Sequence, residues 1–358
     1  MSEILFEGFV NDLLKTKIAS ILNAGRKVIV DGSLVRVEVS FKLNMFFPLD
    51  GRVFQMAILK NYILLFPLFI SACLVDAHAQ NSDSHPLFSF GVIADVQYAD
   101  VEQAGKRDYR GSIKRLEKSI EIFNAHELRF IIHAGDLIDR HYESFELPLG
   151  LFKKSRAPVH YVVGNHEFSV ADSLKMKVRR LLNNDRGYYS LMVENFQFII
   201  VDAMDVSLQA FPKDSRGYLK AKEIYQELKN RNANNAYDWN GSMGKMQLRW
   251  LKNLLEQGEK RGYKSILFSH LPLLPENGLQ LWNNQEVLSL LNKYPSVIAF
   301  VSGHHHEGGY VKAGRIHHLT LKGLVESKSE SACGVVDVYP RKLVVNGFGD
   351  QLSYTLEW

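Results

Sequence analysis

The chain has 358 residues, 46% apolar and 23% charged, with a formal net charge of +4. That composition is ordinary for a soluble globular protein and supports a sizeable core. Two cysteines, Cys73 and Cys333, exclude a disulfide framework and a cysteine-rich zinc site, and the absence of a long Lys/Arg block gives nucleic-acid binding no support.

Residues 1–55 read poorly as a domain: no repeat, no turn chemistry, and one short helical pattern from Ile4 to Leu22. Met56 then opens a different pattern, with Lys60, an apolar run from Tyr62 to Val75, and Ala77-His78-Ala79 before Gln80. That is the basic, hydrophobic and small-residue order of a secretory signal peptide, expected over 56–79. The run is shorter than the roughly 20 residues a spanning helix needs, so no stable membrane span is expected. Translation from Met56 would make residues 1–55 an over-extended gene model; the alternative is a true extension with a buried helix at 62–75. The expected location is periplasmic or extracellular. Ile70-Ser71-Ala72-Cys73 resembles a lipobox and offers a lipid anchor at Cys73 as the variant outcome.

From Phe88 onward, short β-branched and aromatic runs predict strands at 88–94, 128–134, 158–163, 196–202, 264–269, 297–302, 315–321, 333–338 and 342–348. Helical periodicity falls at 111–126, 145–153, 171–183, 217–231, 245–261 and 284–293. Strand–helix alternation predicts an α/β layered fold, with an antiparallel end where the last strands lack helices between them. One catalytic domain, 85–358, is the simplest organisation.

Polar residues collect directly after five of these strands. Asp95-Val96-Gln97 follows FGVIA, and Gly135-Asp136-Leu137-Ile138-Asp139 follows FIIHA. Gly164-Asn165-His166-Glu167 follows VHYVV, His270 follows SILFS, and Gly303-His304-His305-His306 follows VIAFVS. Open α/β sheets place their sites at these carboxyl ends. Taken singly, each motif is weak, because Gly-Asp and Gly-Asn-His are more often turns and a lone histidine is more often packed or exposed. Together, five such clusters would be costly to bury without a shared partner, and two divalent cations would satisfy them jointly.

The series D-x-[HQ], GDxxD, GNH[ED], His and GHxH resembles the calcineurin-like metallophosphoesterase superfamily, over Phe90 to about Tyr339. FGVIADVQYAD (90–100), NGSMGKMQLRWL (240–251), GHHHEGGY (303–310) and GRIHHLTLKGLVES (314–327) are similar to its manganese-dependent ADP-ribose/CDP-alcohol diphosphatase branch. The resemblance implies a four-layer α/β/β/α sandwich of two mixed sheets flanked by helices. It implies one metal held by Asp95, Gln97, Asp136 and His306, and a second by Asp136, Asn165, His270 and His304. Carboxylate, carboxamide and imidazole without thiolate suit Mn²⁺, Fe or Zn²⁺. Gln97, a neutral oxygen ligand where most relatives have histidine, favours Mn²⁺.

The implied reaction is hydrolysis by a metal-activated hydroxide of phosphoanhydrides in nucleoside diphosphate-linked substrates. The alternatives are an exported phosphomonoesterase or phosphodiesterase, and a non-catalytic metal-binding module. His166 is assigned to transition-state stabilisation or leaving-group protonation, with Asp139 orienting its ring or, alternatively, capping a helix start. Glu167 is expected to orient a ligand. His305 is expected beside the ligands or exposed, and His133, His317 and His318 are expected within strands. Tyr98, Arg107, Arg110, Asn240 and Gly241 are candidates for the rest of a small nucleotide-type substrate. The 203–243 segment is read either as a lid or as an insertion without catalytic consequence.

Overall fold

The computed structural model describes residues 27–31, 34–38, 85–182 and 185–358. The chain divides into two compact units, Met1–Val75 and Asp76–Trp358. In the first, β1 (Lys27–Asp31) and β2 (Leu34–Glu38) form an antiparallel pair. The sequence reading of residues 1–55 has only a helical pattern there; the β-branched runs KVIVD and LVRVE are instead paired strands. The helical pattern at 4–22 and the signal-peptide segment 56–79 lie outside the described residues.

The second unit holds two six-stranded sheets. In one, β3 (Phe88–Ile93), β4 (Leu128–His133) and β5 (Val159–Tyr161) run parallel. Antiparallel β14 (Ala332–Val338), β15 (Lys342–Gly349) and β16 (Tyr354–Glu357) extend that sheet beyond β3. In the other, β7 (Phe196–Ile200), β10 (Lys264–Phe268), β11 (Val297–Ser302) and β13 (Ile316–Lys322) run parallel. Antiparallel β6 (Tyr189–Val193) and β12 (Glu307–Ala313) form its edges. A separate two-stranded pair joins β8 (Val206–Ser207) to β9 (Gly241–Ser242).

Among the described residues, six helices lie between the strands: α1 (Ser112–Asn124), α2 (Glu146–Phe152), α3 (Asp172–Leu181), α4 (Arg216–Asn230), α5 (Lys245–Lys260) and α6 (Asn284–Leu291). Every predicted helix is present within two residues at each end. The continuous apolar strands are explained by burial on both faces. Phe90, Val92, Phe130, Phe198 and Phe268 fill the space between the sheets, where the Phe130 and Phe198 rings meet edge-on at 4.9 Å. Ile93, Ile131, Ile199 and Leu267 face the other way, with Leu116, Ile120 and Phe123 of α1 and Leu251 and Leu255 of α5. The result is the four-layer α/β/β/α sandwich.

The strands that sequence periodicity missed are peripheral. The edge strand β6 is only partly buried, and β12 contains Gly308 and Gly309, which lower its strand propensity. Among the described residues, no helix is long and apolar enough to cross a membrane.

Candidate active site

The carboxyl ends of β3, β4, β5, β10 and β11 meet at one rim. Backbone pairing continues past the strands within each sheet, where Asp95 N–H donates to Gly135 O at 3.0 Å and Gly303 N–H to His270 O at 3.0 Å, and Leu324 N–H donates to Ala94 O at 3.1 Å from one sheet to the other. Four of the implied ligands, Asp95, Gln97, Asp136 and His304, have left-handed backbone, with φ of 53°, 42°, 58° and 69°. A non-glycine residue is uncommon there, and the strain sits where each chain turns sharply off its strand to aim a ligand at the rim. Two motif glycines are needed because ligands lie against them. A Cβ on Gly135 (φ 97°) would strike the His270 ring, and one on Gly164 would strike Asp136 Oδ1.

The seven implied ligands are brought together. Asp136 sits at the centre, fully buried, and Oδ1 accepts from the His166 backbone N–H at 2.8 Å. Its Oδ2 lies 3.0 Å from Gln97 Nε2 and 3.1 Å from His270 Nε2. His270 Nδ1 faces the Ala134 carbonyl at 3.0 Å, which fixes the proton on that nitrogen. Its Nε2, beside Asp136, also faces His304 Nδ1, 3.2 Å away. On the other side, His306 Nε2 lies 3.4 Å from Asp95 Oδ1 and 3.1 Å from Gln97 Nε2.

The donor set fits divalent cations on an observation independent of any resemblance. Gln97 Oε1, Asn165 Oδ1 and His304 Nε2 are buried with no hydrogen-bond partner, an arrangement that leaves polar atoms costly unless another group satisfies them. Asp136, His270 and His304 each offer an atom within 4.8 Å of the others. The field there is strongly cation-attracting. Burial opposes a charge on His270, yet Asp136 beside it, then Asp95 and Glu167, raise its pKa to about 10.

Around these residues lies a polar frame. The His166 ring lines the cavity, and its Nδ1 is 3.1 Å from Asp139 O and 3.2 Å from Asp139 Oδ1. Asp139 also pairs with Arg140 at 2.6 Å, so its carboxylate faces the imidazole rather than capping a helix. Burial opposes protonation of His166, but Asp136 and Asp139 outweigh it and raise its pKa. Glu167 is fully buried; its carboxylate accepts from the N–H groups of Gly164 (2.8 Å), Asp136 (3.0 Å) and Leu137, tying the Asp136 loop to the Asn165 loop. His306 Nδ1 meets Glu326 Oε1 at 2.8 Å. Burial opposes a charge on His306, but Asp95 and Glu326 raise its pKa to about 9.

Five of the seven implied ligands, Gln97, Asp136, Asn165, His304 and His306, line a cavity of about 520 Å³, whose wall also includes Arg107, Ser169, Gln209, Trp239, His305 and Glu326. That volume is within the range of small-molecule sites. Of the candidates for the rest of a substrate, Arg107 is on this wall and the others are not. Tyr98 is packed in the core, because its bridge to Ile138 turns the ring inward. Arg110 is tied to Asp100 and Glu102 outside the cavity. Asn240 is fully buried, its amide donating to Asn235 O at 3.0 Å and Gly278 O at 2.8 Å, and Gly241 pairs in β9.

Asn240 instead pins the loop bearing Trp239, whose ring stacks on Tyr237 at 4.6 Å. The 203–243 segment therefore contributes to the cavity through Gln209 and Trp239. His133 lies between Phe152 and Tyr161 within the strand layer, and neither His317 nor His318 reaches the cavity. Sequence reasoning missed Glu326, Trp239 and Gln209 as cavity residues; an aromatic two residues after another in a polar loop was the one signal available for Trp239.

The calcineurin-like phosphoesterase family matches residues 88–308, more than half of the chain. A "Manganese-dependent ADP-ribose/CDP-alcohol diphosphatase" of Oryza sativa subsp. japonica is 33% identical over 309 residues, covering 76% of this chain and 95% of the relative. Proteins of the same name from Arabidopsis thaliana and Homo sapiens are 31% and 30% identical, over 73% and 76% of this chain and 94% and 93% of their own. Among solved structures, a dimetal phosphatase from Danio rerio superposes with a TM-score of 0.69 at 27% identity, covering 76% of this chain and 99% of that one.

Proposed function

The chain belongs to the calcineurin-like phosphoesterase family, and on that premise we propose that it is a manganese-dependent hydrolase of nucleoside diphosphate-linked small molecules, of ADP-ribose or CDP-alcohol type. The observation that carries this reading is the convergence of seven oxygen and nitrogen ligands with Gln97 Oε1, Asn165 Oδ1 and His304 Nε2 buried and unpartnered. Asp95, Gln97, Asp136 and His306 would hold one cation, and Asp136, Asn165, His270 and His304 the other. When bound, the cations supply charge against phosphate oxygens and a nucleophile at neutral pH.

The chain's own residues account for the rest. His166 is held through Nδ1 by Asp139, which leaves Nε2 to hold a proton beside the departing oxygen. Arg107, on the cavity wall, suits a second phosphate group by hydrogen bonding. Trp239 offers a planar apolar face to a base.

The test is a panel of ADP-ribose, CDP-choline, a simple monoester and a cyclic nucleotide, each assayed with added Mn²⁺ after chelation. Preference for the two diphosphates supports the reading. Preference for the monoester or cyclic nucleotide would replace it with the phosphomonoesterase or phosphodiesterase alternative, and no turnover with full Mn²⁺ loading would leave a metal-binding module.

We also propose export, supported by the Lys60, Tyr62–Val75 and Ala77-His78-Ala79 pattern. Sequencing the mature N-terminus should find Gln80, or a lipidated Cys73; a mature terminus at Met1 would sink this part.

A further inference from the structure

Glu326 lies outside the five strand-end motifs, within the 314–327 stretch, and its surroundings are built around it. It ends the short 3₁₀ turn Leu324–Glu326 that follows β13. The Val325 N–H donates to Asp95 O at 3.0 Å, which fixes this turn to the strand end that carries Asp95 and Gln97. On its other side, the Asp108 N–H donates to Val325 O at 3.0 Å. Arg115 clamps the same junction, donating to Leu324 O (3.0 Å), Val325 O (3.3 Å) and Asp108 O (2.9 Å). The Arg107 segment and the Glu326 turn are thereby held as one piece.

Within that piece one carboxylate oxygen serves two partners. Glu326 Oε1 lies 2.8 Å from His306 Nδ1 and 3.4 Å from Arg107 Nε. An ionised carboxylate only accepts, so the Nδ1 of His306 carries the ring proton. Its Nε2, facing Gln97 and Asp95, is then the nitrogen that would offer a lone pair to a cation. A carboxylate behind a ligating imidazole fixes its tautomer and raises its basicity.

We propose that Glu326 is a positioning residue: it presents His306 Nε2 to the cation held with Asp95 and Gln97, and with the same oxygen it holds the Arg107 guanidinium over the cavity. This rests on the two-cation reading above. It assigns to Glu326 two effects that separate on substitution, one on cation affinity through His306 and one on substrate affinity through Arg107.

The test is equilibrium dialysis of the full chain against graded Mn²⁺, with bound metal counted by elemental mass spectrometry. Wild type is compared with Glu326→Gln, Glu326→Asp and Arg107→Ala, with melting in chelator as the check on folding. Two Mn²⁺ per wild-type chain are expected. Glu326→Gln should weaken one of them by roughly 10- to 100-fold, and Arg107→Ala should weaken neither. Glu326→Asp keeps the charge, and carries the comparison if the glutamine variant melts early; a smaller loss at the same single site is expected. Two cations bound with wild-type affinity in both Glu326 variants would overturn the assignment while leaving the two-cation reading intact. A wild-type chain that takes up no Mn²⁺ would defeat that reading, and this assignment with it.

Discussion

Replacing Glu167 by alanine removes the single acceptor shared by the N–H groups of Gly164, Asp136 and Leu137. Each donor left unpaired in the interior costs about 1–3 kcal/mol. The three are neighbours, so the losses do not simply add, and water entering the vacated space relieves part of them. A net loss of roughly 3–5 kcal/mol follows, a large share of the roughly 5–15 kcal/mol that holds a domain folded. Opposing it is the burden of the carboxylate itself: burial, and then the Asp136 charge, push its pKa from 4.5 up to about 7.

The folded chain binds the Glu167 proton more tightly than the unfolded one, so this contribution is full below about 4.5 and is lost as pH rises through about 7. Urea unfolding in chelator, followed by tryptophan fluorescence, should therefore show Glu167→Ala less stable than wild type by an amount that narrows from pH 5 to pH 8. A midpoint shift worth less than about 1 kcal/mol, with Mn²⁺ affinity unchanged, would show that the strands alone hold the two ligand loops.

Asp139→Asn removes a charge that helps raise the His166 pKa, so the basic limb of the rate–pH profile should move to lower pH; an unmoved limb would place the essential proton elsewhere. Trp239→Ala should raise KM for ADP-ribose or CDP-choline by roughly 5- to 100-fold, the equivalent of about 1–3 kcal/mol of base stacking, with kcat nearly constant. Equal KM effects on glycerol phosphate, which has no aromatic ring, would argue against stacking. Asn240→Ala leaves two buried carbonyls without their donor and should lower Tm through a loss of about 1–3 kcal/mol; a raised KM at unchanged Tm would return Asn240 to the substrate.

The pattern of strands and helices in 85–358 was legible because each inner strand is buried on both faces and so reads as a short unbroken apolar run. The convergence of the polar strand-end motifs was legible for a related reason: each stands directly after such a run, where the sheet must deliver it to a common rim. Gly135 and Gly164 belong to those motifs because ligand side chains occupy the space their Cβ atoms would take. Edge strands β6 and β12 were not legible, since a half-exposed face carries little apolar periodicity.

Direction and partnership at the rim were decided by the tertiary structure alone. Tyr98 and Arg110 sit close in sequence to Gln97, yet a bridge to Ile138 turns the first into the core and Asp100 and Glu102 hold the second outside. Glu326 lies 20 residues from His306 and 219 from Arg107, and only the packing of the β13 turn against the end of β3 brings the three together. Sequence fixes which residues must leave a strand end. Where each side chain points after a left-handed turn, and which distant carboxylate stands behind it, depends on how the two sheets close on each other.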